Sequence, residues 1–313
     1  MLNLLADSLK WYKKWGGKPV FPWIAAAQAY RLRDFSRAER LYEKGLLKNK
    51  KHKAYVNALL DLSFCKYKLR KVREAESLLK EAVSLQPLLL EGWLRLGKLL
   101  LWVGKPNTAY KILREILPKF PESEELWGIT LYSGTLIKAD DALSLLEIRP
   151  ARGNSPVPPV ALSLADIVFG DKHSGRVFLT KLCSSDNPPI EALHAISEVL
   201  LSEENYGMAK HFLRRALYSS PENPTTLSLL SEVYLEERSG YEYAVQLAQQ
   251  ACQVSGWQSP IFMNQLVRSH LAVGDRVSAL LIASRALEIS DEEFNEREDL
   301  SKLVTELRAQ SLS

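Results

Sequence analysis

The sequence predicts an all-α chain in which helical hairpins stack into a solenoid. Three observations carry the expectation. Apolar and small residues recur at i, i+3, i+4 and i+7; the recurrence comes back in near-constant register along the 313 residues; strand-type alternation is absent.

Residues 1–19 are expected to form an N-terminal capping helix. Leu2, Leu5, Leu9 and Tyr12 share one helical face, Lys10, Lys13 and Lys14 lie nearby, and Gly16-Gly17 stop the helix. The same pattern suits a helix resting on an anionic membrane surface with Trp11 and Trp15 at the interface, so peripheral membrane contact stays open beside the packing role. The segment lacks the layout of a secretory signal.

Residues 20–149 read as a basic array of four hairpins. The first, 20–50, carries Trp23, Ala26 and Tyr30, then Asp34-Phe35, Ala38, Tyr42 and Gly45. The second, 56–87, carries Leu59, Leu62 and Ser63, then Val72, Ala75, Leu79, Ala82 and Pro87. The third runs through Trp93, Leu96, Gly97 and Leu100, turns at Gly104, and continues through Ala109, Leu113 and Ile116 to Pro121. The fourth, 122–149, lacks the closing turn and is degenerate.

Pro150, Pro156, Pro158 and Pro159 crowd into 150–160 with Gly153 and Asn154, a loop or linker that no helix crosses. Residues 157–290 then give four more hairpins. The first of these has Gly175 where alanine is usual. The others carry Leu193, Ile196, Ala209 and Leu213; Leu227, Leu230, Ala244 and Ala248; and Met263, Leu266, Ala279 and Ala283. A C-terminal capping helix is expected within 291–313, with Leu300, Leu303, Val304 and Leu307 on one face.

This combination of small residues, glycine turns and closing prolines resembles the tetratricopeptide repeat family, with about eight repeats covering nearly the whole chain. The resemblance implies a right-handed α-α superhelix with capping helices at both ends. It also implies that the first helices of successive hairpins line a concave surface where ligands lie.

Composition narrows the function. Hydrophobic residues make up 46% and charged residues 25%, which excludes wholesale disorder. No apolar run is long enough for a membrane helix, and Cys65, Cys183 and Cys252, odd in number and far apart, offer neither a disulfide framework nor a cysteine metal site. The expected location is cytoplasmic. The five histidines are scattered, no Gly-x-Ser-x-Gly elbow is present, and the glycines between Gly97 and Lys105 do not make a phosphate loop. No catalysis, metal, cofactor or small-molecule substrate is expected.

Charge is uneven. Residues 1–150 hold 27 Lys and Arg against 16 Asp and Glu, a balance of +11; the remainder holds 14 against 21, a balance of −7. An acidic partner should therefore prefer the N-terminal half.

Carried onto this sequence, the resemblance places Trp23, Tyr30, Arg31, Asn57, Phe64, Tyr67, Lys68, Arg95, Lys98, Trp102 and Tyr132 on the concave surface of the first half. Aromatics interleaved with Arg and Lys suit a protein partner with an acidic or amphipathic segment. The second half offers His194, Glu198, Glu232, Glu236, Asn264 and Arg268 instead. Within the family, the carboxylate clamp that grips acidic chaperone tails is not matched: Asp61 and Glu91 stand at clamp positions and only Arg95 fits. The expected function is a non-catalytic scaffold or adaptor; the alternative is a single-stranded nucleic-acid-binding solenoid that uses the same groove.

Overall fold

The computed structural model describes residues 21–150, 156–290, 294 and 296–311. The cap expected over 1–19 and residues 151–155 of the proline-rich segment lie outside the described residues. Among the described residues every regular element is helical. In chain order these are α1 (Phe21–Arg31), α2 (Phe35–Leu46), α3 (Tyr55–Lys68), α4 (Val72–Leu85), α5 (Leu90–Trp102) and α6 (Pro106–Ile116). Then come α7 (Glu124–Leu136), α8 (Val157–Phe169), α9 (Lys172–Cys183), α10 (Ile190–Ser202) and α11 (Tyr206–Ser219). The last are α12 (Pro224–Glu236), α13 (Tyr241–Val254), α14 (Pro260–Ala272), α15 (Arg276–Ile289) and α16 (Arg297–Ser311).

Local chemistry starts these helices. Asp34, Ser123, Asn205, Asn223, Ser259 and Asp275 each accept a backbone N–H from the first turn that follows. Pro106, Pro224 and Pro260 occupy the first turn, where a missing N–H costs nothing. The turn inside a hairpin needs a left-handed residue. Gly104 and Gly274 supply it with φ of 72° and 81°, but Arg33, Arg70, Lys138, Glu204 and Arg238 adopt it too. A non-glycine residue there costs about 1–2 kcal/mol, which the two packed helices on either side must outweigh.

Packing repeats. Ala38, Ala75, Ala109, Ala209, Ala244 and Ala279 stand early in second helices and are wholly buried. A larger side chain at that point would push the hairpin open. Gly175 takes the same place in α9, and a Cβ there would sit 2.6 Å from the Ser163 carbonyl oxygen of α8. The closer approach of those two helices accounts for the missing alanine methyl.

The chain forms two compact units, residues 1–96 and 97–313, divided within α5. The proline-rich segment, where the charge balance changes sign, falls inside the second unit. In unit one, α1 packs on α2 and α3 on α4, with α2 against α3 between them. In unit two, α7 packs directly on α8, because the element between them is only a seven-residue 3-10 stretch, Ala142–Ile148. Beyond it, α8 to α16 pair with their chain neighbours in turn. Such successive pairing is the arrangement of a helical solenoid. A contact within unit two also spans 155 positions of sequence. The Gly104 turn meets the start of α14, where the Ser259 hydroxyl lies 3.5 Å from the Gly104 carbonyl oxygen. A Cβ on Gly104 would come within 2.6 Å of Ser259 Oγ and 3.1 Å of the Phe262 ring. Among the described residues no helix is long and apolar enough to cross a membrane.

Candidate functional site

In unit one, α1, α3 and the start of α5 border a groove of about 290 Å³. Tyr30, Arg31, Asn57 and Arg95 line it, four of the residues expected there, together with Ala27, Tyr42, Leu60, Asp61, Leu89 and Glu91. Helical spacing explains the selection: Ala27, Tyr30 and Arg31 share one face of α1, and Asn57, Leu60 and Asp61 one face of α3.

Asp61 is the hub of the polar contacts. Its carboxylate accepts a hydrogen bond from the Tyr42 hydroxyl at 3.1 Å and lies 3.7 Å from Arg95 Nη1. Burial pushes the carboxyl up to about 6, against the opposing pull of Arg95 and the Tyr42 hydrogen bond. Arg95 is engaged through two of its three nitrogens. Its Nε donates to Glu91 at 2.6 Å and its Nη1 donates to the Leu60 carbonyl oxygen at 3.1 Å. Arg31 is different: it is exposed and makes no hydrogen bond or ion pair among the described residues, and half-buried Asn57 makes none either.

An aromatic shelf adjoins the groove. Tyr30 and Phe64 approach with ring centroids 5.3 Å apart, and Phe35 and Tyr67 each pack 6.0 Å from Phe64. All four rings are half-buried. Burial and the nearby Asp61 charge push the Tyr30 phenol up to about 12, so it stays a donor at neutral pH. The Lys68 ammonium caps the shelf 5.4 Å from the Phe64 ring and 5.2 Å from Tyr67.

Other expected groove residues go elsewhere. Trp23 has 0% exposure and belongs to the core. Gly45 makes room for it, since a Cβ there would fall 2.2 Å from the indole nitrogen, which donates to the Tyr42 carbonyl oxygen at 3.2 Å. Tyr132 is buried in unit two, its phenol pushed well above its ordinary value by burial and then by Glu198 and Glu191. Lys98 and Trp102 also belong to unit two, where Lys98 pairs with Glu125 at 2.6 Å. Sequence reasoning missed Tyr42 and Leu89 as groove residues and read Asp61 only as a departure from the clamp pattern. The signal available was Asp61 itself, a carboxylate interrupting an apolar stretch of α3.

Most of the residues mapped onto the second half have partners within the fold. His194 Nε2 lies 2.7 Å from the Thr226 hydroxyl, and burial pushes the imidazole down to about 4. Arg268 donates to Glu232 at 3.3 Å and Glu236 at 2.6 Å, and Asn264 donates to Glu296 at 2.8 Å. Burial, helped by Glu232, pushes the Glu198 carboxyl up to about 7.

Stacked helical hairpins with a groove between their first helices define a helical-repeat solenoid. No model of a known protein family matches the chain, and none of the curated proteins does. Among solved structures the chain is similar to the crystal structure of yeast Tom70, a tetratricopeptide-repeat protein, with 13% identity and a TM-score of 0.50. The match covers 89% of this chain and 60% of that one, so the chain spans about three-fifths of the length of Tom70 in that structure. At this identity the likeness shows the fold.

Proposed function

We propose that the protein is a non-catalytic interaction scaffold whose unit-one groove binds a peptide segment bearing an acidic group. The observation that carries the reading is the contrast between committed and uncommitted polar groups. The groove's carboxylates are answered by Arg95 and Tyr42, whereas Arg31 and Asn57 bond to nothing described. What the groove has left to offer is therefore a guanidinium, an amide and, on the adjoining shelf, the Lys68 ammonium over two rings. A guanidinium with free donors selects a carboxylate or phosphate. The shelf supplies apolar area beside it. Base stacking, the alternative, would compete with Lys68 for the Phe64 and Tyr67 rings.

The test is affinity capture from lysate with and without nuclease, using the wild type beside Arg31→Glu, Lys68→Glu. Arg95 is left untouched, because reversing it would set a third carboxylate beside Asp61 and Glu91 and disturb the fold. The expected result is a protein partner that survives nuclease and is lost with the double variant, while the melting temperature is unchanged. Equal capture by both forms overturns the groove. Nuclease-sensitive capture with a steep salt dependence turns the same surface over to nucleic acid.

A further inference from the structure

The opposite side of α3 floors a second and larger groove in unit one, of about 530 Å³, walled by the two second helices α2 and α4. Leu59 and Leu62 form its floor, with Leu46 and Leu78 on the walls. At its edge Leu47 is 78% exposed, a large apolar side chain with no cover.

The polar border is built around a buried amine. Lys66 Nζ lies 2.6 Å from Glu39, 2.6 Å from Glu43 and 2.5 Å from Glu74, and Lys71 reaches Glu39 at 2.7 Å. Burial alone would pull the Lys66 ammonium down, but hydrogen bonds to the three carboxylates hold it well above its ordinary value. Three carboxylates against two ammoniums leave one negative charge. Glu43 and Glu74, which share Lys66, carry that excess on partly exposed side chains beside the leucines. Further along, the Glu81 carboxylate accepts from the Tyr55 hydroxyl at 3.0 Å, with Lys50 as the remaining cation of the border. The border therefore favours a cation next to an apolar floor.

We propose that this groove docks a short amphipathic helix of a partner protein, presenting two leucine-sized side chains on successive turns with a Lys or Arg beside them. A helix is the form that fits. The backbone groups of α2, α3 and α4 are occupied within their own helices, so an extended peptide laid on Leu59 and Leu62 would bury amides that nothing can answer. A helix brings its own hydrogen bonds and offers only side chains. It packs between α2 and α4 as another helix of the stack would, and its cation meets the charge that Glu43 and Glu74 hold in excess. This site shares no residue with the Arg31 groove and does not depend on it.

The test is selection of a displayed library of short helical peptides on the full chain, followed by anisotropy titration of the recovered peptide carrying a fluorescent label. Recovered sequences should pair two leucine-type residues one turn apart with a Lys or Arg. Leu47→Asp should weaken binding about tenfold or more. That side chain stands mostly in solvent, so the variant should melt like the wild type. Glu74→Gln should weaken it too, whereas Arg31→Glu, Lys68→Glu should leave it within about twofold, which separates failure here from failure of the other groove. Peptides that are acidic, or whose binding ignores Leu47→Asp, overturn the proposal. So does a dimer of the chain that sedimentation detects and Leu47→Asp dissolves, since a second copy would then be the occupant.

Discussion

In unit one, the side chains of Arg31 and Asn57 face an open groove and bond to nothing described; in unit two, five of the six residues chosen by the same mapping are tied to their neighbours. Arg268 holds two glutamates, Asn264 holds Glu296, and His194 meets Thr226. Residue type does not separate the two sets, because arginine and asparagine stand in both. The difference lies in how much hydrogen-bonding capacity each set has left. A polar residue already answered by its own fold has little to offer a ligand without first breaking something. An unanswered one at the lip of a groove offers its full strength.

The largest expected effect tests where the line between core and groove runs. Trp23→Ala should cost about 3–5 kcal/mol, the toll of removing a buried aromatic ring, as read by denaturant unfolding. A variant with unchanged stability and lost ligand capture would return Trp23 to the groove.

Acid should act next, with opposite sign at His194 of unit two and Asp61 of unit one. His194 is buried and neutral, with its titration pushed down from 6.5 to about 4. The unfolded chain takes up that proton first, so this contribution is present above about pH 6.5 and lost as pH falls towards 4; it amounts to roughly 3 kcal/mol. Replacement by Gln should flatten the acid limb of the stability profile of unit two. Asp61 runs the other way. Its carboxyl is raised from 3.8 to about 6, so the folded state holds the proton more tightly. Stability is then fully present below about pH 4 and lost as pH climbs to 6, by about 3 kcal/mol. The advantage of Asp61→Asn over the wild type should accordingly grow across that window. In unit two the raised Glu198 slopes in the same direction as Asp61. The Glu198→Gln variant is therefore needed beside His194→Gln to isolate the imidazole.

The smallest effect completes the contrast. Arg268→Ala removes ion pairs that stand 42% exposed on the arginine side and should cost about 0.5–1 kcal/mol with no loss of ligand capture. A large loss of capture would show that unit two binds as well.

Much of the fold could be read from the sequence because its signals are local. The wholly buried alanine early in so many second helices and the residue that caps the next helix both act within a hairpin or across one turn. The site was less legible, because its outcome depends on residues in other helices. Trp23 reads as an exposed aromatic until Gly45, on the partner helix, is seen to leave space for it. Arg95 reads as a free cation until Asp61 of the preceding hairpin is placed beside it. The division within α5 carries no proline or glycine run to announce it, and the prolines that do stand out lie inside a unit. Spacing along one helix also says nothing of the groove between α2 and α4, which exists only once two hairpins are stacked.

The contact between Gly104 and Ser259 joins residues 155 positions apart in a chain whose other contacts are mostly between neighbours. Repeat arrays ordinarily unravel from their ends, each hairpin holding only the next. Here an early turn of the unit touches a helix near its far end, and such a contact is expected to couple the hairpins between them. The absence of a methyl group at Gly104 thus helps to decide whether the second unit melts in one step or in several.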